Sequence, residues 1–181
     1  VSMGFSIAGV LLLSGSLRPI EIVNAQYGWM WNAILQPIGF ITFVVSAFAE
    51  TNRLPFDLPE AEPELVGGYH TEYSSMKFAG FFLAEYANMI IASALIVTLY
   101  LGGWQIPYVD KLGLSAGLTA ILQVLAFLFK VGLMLFFFIW VRWSLPRFRY
   151  DQLMNLGWKV MFPLSLLNLV WVAVLIMVFN L

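Results

Sequence analysis

The sequence contains no cysteine, a single histidine (His70) and only 10% charged residues. Without cysteine it can hold neither a thiolate-bound iron–sulfur cluster nor a cysteine zinc site, and disulfide logic says nothing of its compartment. One histidine excludes bis-histidine haem ligation within the chain. Excess basic charge is also missing: nine Lys/Arg against ten Asp/Glu give a net charge of −1, which leaves no electrostatic footprint for nucleic acid. Soluble domains carry about 25% charged residues. A 181-residue chain that is 61% hydrophobic, with a mean hydropathy of +0.88, belongs in a membrane.

Crossing a hydrocarbon core of about 30 Å takes about 20 helical residues. Four stretches meet that length, near Tyr27 to Ala49, Phe78 to Leu101, Gly117 to Val141 and Lys159 to Leu181. A fifth apolar run, Met3 to Leu13, is too short and meets Ser14, Gly15 and Pro19. No stretch alternates with period two, so helices are the only spanning structure that satisfies every backbone group in lipid. The expected fold is an all-α polytopic transmembrane helix bundle with four full spanning helices plus a truncated one. The chain starts at Val1 with no basic n-region and no cleavage site, so it does not read as a signal peptide. Residues 1–181 are expected to form one membrane domain, a fragment of a larger subunit.

Lys and Arg in short loops set orientation. Segments 14–26 and 102–116 carry Arg18 and Lys111, whereas 50–77 and 142–159 carry Arg53, Lys77, Arg142, Arg147, Arg149 and Lys159. The second pair of loops is expected on the cytoplasmic or matrix side.

The loop ETNRLPFDLPEAEPELVGGYHTEYSSMK, residues 50–77, holds most of the chemistry. Six acids (Glu50, Asp57, Glu60, Glu62, Glu64, Glu72) face two cations, for a net charge of −4 on the side that favours positive charge. Pro55, Pro59 and Pro63 forbid a continuous helix. Carboxylates at spacing two, withdrawn from water, cannot all ionise cheaply, which makes a shared, exchangeable proton the functional reading. A solvated acidic face is the plain alternative. The interleaved Leu54, Phe56, Leu58, Leu65 and Val66 argue against it, because they ask for burial. Within the helices, Glu85 and Lys130 are expensive in hydrocarbon and so become site candidates, set against an interfacial carboxylate and a structural ion pair respectively. His70 reads as a surface or structural residue, Gly67-Gly68 and Gly102-Gly103 as turns, and Gln36-Pro37 as a helix kink whose freed carbonyl is available to a neighbour.

The run AETNRLPFDLPEAEPELVGGYHTEYSSMKFAGFFLAEYANM, with a second block FKVGLMLFFFIWVRWSLPRFRYDQLMNLGWKVMFPLSL, resembles the quinone-site membrane subunit of proton-pumping NADH:quinone oxidoreductase. This is respiratory complex I, and the subunit is called H in bacteria and NADH dehydrogenase subunit 1 in mitochondria. The likeness is to the C-terminal half of that family. It implies a translocase subunit with no redox centre of its own. Ubiquinone or menaquinone would be the substrate, and NADH, FMN and iron–sulfur clusters would sit in partner subunits. The implied partners are the peripheral iron–sulfur and quinone-site subunits, other membrane-arm subunits and lipid, in a bacterial or mitochondrial inner membrane. By motif match, Arg53, Phe56 and Asp57 line the quinone path, and Glu50, Glu60, Glu62, Glu64, Glu72 and Glu85 form a proton relay. Lys130, Arg142, Arg147 and Arg149 take an electrostatic or subunit-contact role.

Three competitors carry some of the same features. A secondary transporter needs internal repeats and paired broken helices, and no repeat is visible. A membrane-bound hydrogenase or phenazine-reducing complex shares much of the loop, although the full NRLPFDLPEAEPELV run favours the quinone enzyme. A purely structural scaffold has no use for six loop acids and two mid-helix charges.

Overall fold

The computed structural model describes residues 1–27, 30–51, 55–56, 76–107 and 115–179, apart from the side chains of residues 77, 78 and 179. The elements in chain order are α1 (Ser2–Ser14), α2 (Pro19–Ala25), α3 (Asn32–Leu35), α4 (Pro37–Glu50), α5 (Met76–Tyr100), α6 (Ala116–Ser144), α7 (Tyr150–Asn155) and α8 (Phe162–Phe179). A π-helical stretch, Leu156–Met161, joins α7 to α8. No strand occurs among the described residues.

The all-α membrane bundle expected from composition is what forms. Three helical stretches are long and apolar enough to cross a membrane: Ala79–Tyr100, Ala116–Ser144 and Tyr150–Val178. They answer to three of the four expected spans, the last beginning earlier than its apolar run suggested. Residues 27–49 are instead divided. Pro37 has no N–H for the Ala33 carbonyl, and its ring drives Gln36 out of the helical region to φ −132°, ψ 68°. The result is one helical turn, α3, followed by the 14-residue α4. The short first run is likewise part of a pair, α1 and α2, bent by 65° across Gly15 to Arg18.

Proline also explains the π-helical stretch. Pro163 cannot donate to the Lys159 carbonyl, and the preceding helix widens by one residue, with the Phe162 N–H reaching back to Gly157.

Packing centres on α4. Its face is buried at Gly39, Thr42, Phe43, Ala47 and Phe48, against α1 and α8 on one side and α5 on the other. Tyr100 lies between Phe40 and Phe43, with ring centroids 5.6 and 5.4 Å away, and Phe48 packs 4.2 Å from Phe138 of α6. Small residues let the helices approach: a Cβ on Gly9 of α1 or on Gly39 of α4 would lie 2.7 Å from the Asn168 amide nitrogen. That closeness serves the break in the helix. The Gly39 N–H, one of the first-turn donors of α4, bonds to Asn168 Oδ1 at 3.0 Å, and Asn168 Nδ2 donates to Gln36 Oε1 at 3.3 Å. Trp171 Nε1 donates to the Leu35 carbonyl at 3.1 Å. A neighbouring pair, Ser6 and Thr42, shares a hydrogen bond of 2.6 Å, and the Tyr100 hydroxyl donates to the Ser6 carbonyl.

Asn168 therefore closes a break in a helix 129 residues away. Asn168→Leu leaves the Gly39 N–H and the Gln36 side-chain oxygen without these partners, and is expected to cost about 1–3 kcal/mol, the usual penalty for an orphaned buried group. The measurement is the melting temperature of the detergent-solubilised protein. An unchanged value would show that the break does not depend on Asn168.

Candidate functional site

The last turn of α4 carries Glu50 and ends at Thr51. The Thr51 N–H and hydroxyl both turn back onto the Ala47 carbonyl, and the hydroxyl also reaches Phe48 at 3.2 Å, so two C-terminal carbonyls are satisfied locally. Thr51 is buried, and so is the next described pair, Pro55-Phe56.

What buries that pair is the link between α6 and α7. Pro146 keeps Leu145 out of the helical region, at φ −100° and ψ 137°, and Arg149 is extended ahead of α7, its N–H held by Gln152 Oε1 at 3.2 Å. Phe148, between them, has no helix of its own to donate into. Its N–H donates to the Pro55 carbonyl at 3.0 Å, and its ring stacks on Phe56 at 5.6 Å and 29°.

Beside this contact lies a cavity of about 420 Å³, with Ser46, Ala49 and Glu50 of α4, Phe56, Met154 of α7 and Trp158 of the π-helical stretch in its wall. Glu50 is exposed at its rim. One carboxylate on a mostly apolar wall suits a molecule with an apolar body and a polar head.

Of the sequence candidates, the structure brings Glu50 and Phe56 onto this cavity. Arg147 and Arg149 flank Phe148 in the chain, and both are exposed, while Arg142 is half-buried at the end of α6. Glu85 stands elsewhere, half-buried on α5 with its Oε1 shielded from solvent. The helix around it is apolar yet largely uncovered at Phe81, Leu83 and Tyr86, whereas the far half of α5 is buried at Ala92, Ile96, Val97 and Tyr100. Arg53, Asp57, Glu60, Glu62, Glu64 and Glu72 lie outside the described residues, as does His70. Among the described residues, no three His, Cys, Asp or Glu side chains gather as metal ligands would.

Lys130 has a definite local task. Its ammonium donates to three carbonyls beyond α5, those of Leu101 (2.8 Å), Gly103 (3.1 Å) and Gln105 (2.8 Å), and lies 4.8 Å from the centroid of the Trp31 ring. An ammonium has three protons, and three acceptors take them. The turn it closes is the one expected at Gly102-Gly103, both left-handed at φ 70° and 52°. Side chains there would strike Trp31 and Val23 within 3.0 Å, so glycine meets both the conformational and the steric demand. Gln26 completes the closure: its Nε2 lies 3.3 and 3.2 Å from the Thr98 and Leu99 carbonyls, and its Oε1 accepts from the Gly102 and Asn32 N–H groups. Asn32 Nδ2 donates to the Leu99 carbonyl at 2.8 Å. Gln26, Asn32, Phe148 and Asn168 were not among the sequence candidates. The three amides could have been noticed as polar residues inside or beside apolar runs, whereas nothing in the sequence distinguishes Phe148 from its 15 fellow phenylalanines.

Lys130→Met removes the three-carbonyl cap and is expected to lower the melting temperature of the solubilised protein, corresponding to about 1–3 kcal/mol of stability. A wild-type melt would show that these carbonyls do not need the ammonium.

Comparison with known proteins gives consistent matches. A family profile described as NADH dehydrogenase matches residues 1–173. The chain is 51% identical over 179 residues to an NADH-quinone oxidoreductase H subunit of Cytophaga hutchinsonii, covering 99% of this chain and 52% of that protein. It is 50% identical over 190 residues to the NADH-quinone oxidoreductase H subunit of Salinibacter ruber, covering 99% and 55%. It is also 50% identical over 191 residues to NADH-quinone oxidoreductase subunit 8 of Rhodothermus marinus, covering 99% and 56%. The chain thus spans about half the length of the curated relatives it matches.

Proposed function

The chain belongs to the NADH dehydrogenase family, among relatives named as H subunits of NADH-quinone oxidoreductase, and from that premise we propose that it works as part of the membrane subunit that builds a quinone chamber and couples quinone reduction to proton translocation. The observation that carries this reading is the meeting of Glu50 and Phe56, from the two ends of the ETNRLPF run, on one cavity beside an acidic segment.

Quinone reduction consumes two electrons and two protons and yields the quinol. With no cysteine, this chain supplies no iron–sulfur cluster, so the electrons come from NADH through FMN and iron–sulfur clusters held by partner subunits. The chain's own part is the apolar wall and the protons. Phe56 shapes the wall, Arg53 orients acids or a quinone oxygen with its guanidinium fork, and Asp57 adds polar contact. The acids Glu50, Glu60, Glu62, Glu64 and Glu72 hold exchangeable protons, because neighbouring carboxylates disfavour one another's ionisation. Charge formed at the quinone changes their protonation, and Glu85 passes the change into the membrane. Loops 50–77 and 142–159 face the cytoplasm or matrix, in contact with the peripheral subunits, and Arg142, Arg147 and Arg149 meet acidic surfaces there.

Three measurements on the assembled complex test this. Arg53→Met is expected to raise the KM for quinone or lower turnover, because an apolar side chain cannot replace a guanidinium fork; wild-type kinetics would remove Arg53 from the site. Glu60→Gln and Glu62→Gln together are expected to impair turnover beyond the sum of the single changes, and strict additivity in the double-mutant cycle would mean independent carboxylates. Glu85→Gln keeps size and hydrogen bonding while abolishing titration. In liposomes it is expected to lose both NADH:quinone activity and proton uptake while electron transfer to an artificial acceptor persists. Retention of both activities would place the coupling path elsewhere.

A further inference from the structure

Two fixed points lie in the ETNRLPF run. On one side is Thr51, buried and bonded back onto α4. On the other is Pro55-Phe56, held from the far end of the chain by Phe148. Phe56, assigned to the quinone path, is thus held by one contact.

We propose that Phe148 is the positioning residue for that path. Its N–H and ring clasp Pro55-Phe56, and the clasp fixes where Phe56 stands in the wall of the cavity that Glu50 also lines. The proposal rests on the quinone reading given above. The contact has the marks of a dedicated clasp. Phe148 lies outside any helix, so its N–H is free to serve another segment, and Pro146 keeps it so. Pro55 has no N–H to return, so the bond is a single bridge, which by itself leaves rotation open. The stacked ring of Phe148 removes that freedom by covering Phe56, which is 7% exposed. Arg147 and Arg149, on either side, bring positive charge to the start of a segment rich in carboxylates.

Because these 181 residues contain no cysteine, a cysteine pair placed in them gives a direct test in the assembled complex containing the full-length subunit. Pro55→Cys with Phe148→Cys is expected to form a disulfide on mild oxidation in membranes, read by mass spectrometry of the linked peptides. Absence of the link would overturn the clasp without reference to quinone. Phe148→Ala is then expected to raise the KM for quinone about 2- to 10-fold, the range an aromatic pair supplies, with electron transfer from NADH to an artificial acceptor unchanged. Phe148→Tyr, which keeps the ring, is expected to restore the KM. Equal loss of quinone and artificial-acceptor activity in Phe148→Ala would reduce the contact to an assembly role and overturn the proposal. So would an unchanged KM in Phe148→Ala. If the KM is unchanged while Arg53→Met is impaired, the quinone reading stands and only the positioning role of Phe148 falls. If the disulfide forms while Arg53→Met and Phe148→Ala are both silent, the clasp exists but the quinone reading and the positioning role fall together.

Discussion

Three irregularities among the described residues are governed by the need of a backbone N–H or C=O in hydrocarbon for a partner. Straight helices meet that need internally, but this chain interrupts its helices at Gln36-Pro37, after Tyr100 and ahead of Pro163. Each interruption has its own remedy. Asn168 and Trp171 serve the first, Gln26, Asn32 and Lys130 the second, and a widened helical turn the third. Gln26, Asn32, Trp171 and Lys130 place a donor where a carbonyl is stranded, and Asn168 places an acceptor where the Gly39 N–H is. Their bonds join segments far apart in sequence, so repairing the backbone also sets how the helices are arranged.

This division of labour separates the two ends of the molecule. Around the end of α5 the turn is knotted by the hydrogen bonds of Gln26, Asn32 and Lys130, which take the carbonyls of Thr98, Leu99, Leu101, Gly103 and Gln105. Around the end of α4 the contacts include the Phe148 clasp, while the adjoining cavity is open and Glu50 is exposed. A polar knot is suited to holding shape. A carboxylate beside a cavity is suited to exchanging protons.

The sequence made the helices legible and left their partners unread. Long apolar runs announced α5, α6 and α8, because length and hydropathy alone decide what can span a bilayer. The Gln36-Pro37 kink and the Gly102-Gly103 turn followed from proline and glycine chemistry and are present. The clasp and the Asn168 bridge were not legible, since an apolar run specifies a helix without saying which face meets which neighbour 129 or 93 residues away. Lys130 was visible as a charge in hydrocarbon, but its use as a cap on the α5 turn depends on how α5 and α6 are staggered, which local pattern does not encode. The acids from 57 to 72 lie outside the described residues, so the acidic relay rests on motif and spacing, whereas Glu50 and Phe56 have a place in space.

The π-helical stretch before Pro163 has a consequence for angular phase. An α-helix advances about 100° per residue, and a stretch that closes its bonds one residue later holds one residue more than an α-helix of the same number of turns. Met154, in the cavity wall, is therefore rotated by about 100° relative to Asn168 and Trp171 from where an uninterrupted helix would put it. Asn168 meets α4 at Gly39 and Met154 lines the cavity. The extra residue works as a phase shifter, turning the part of the rod that lines the cavity relative to the part that closes the break in its neighbour.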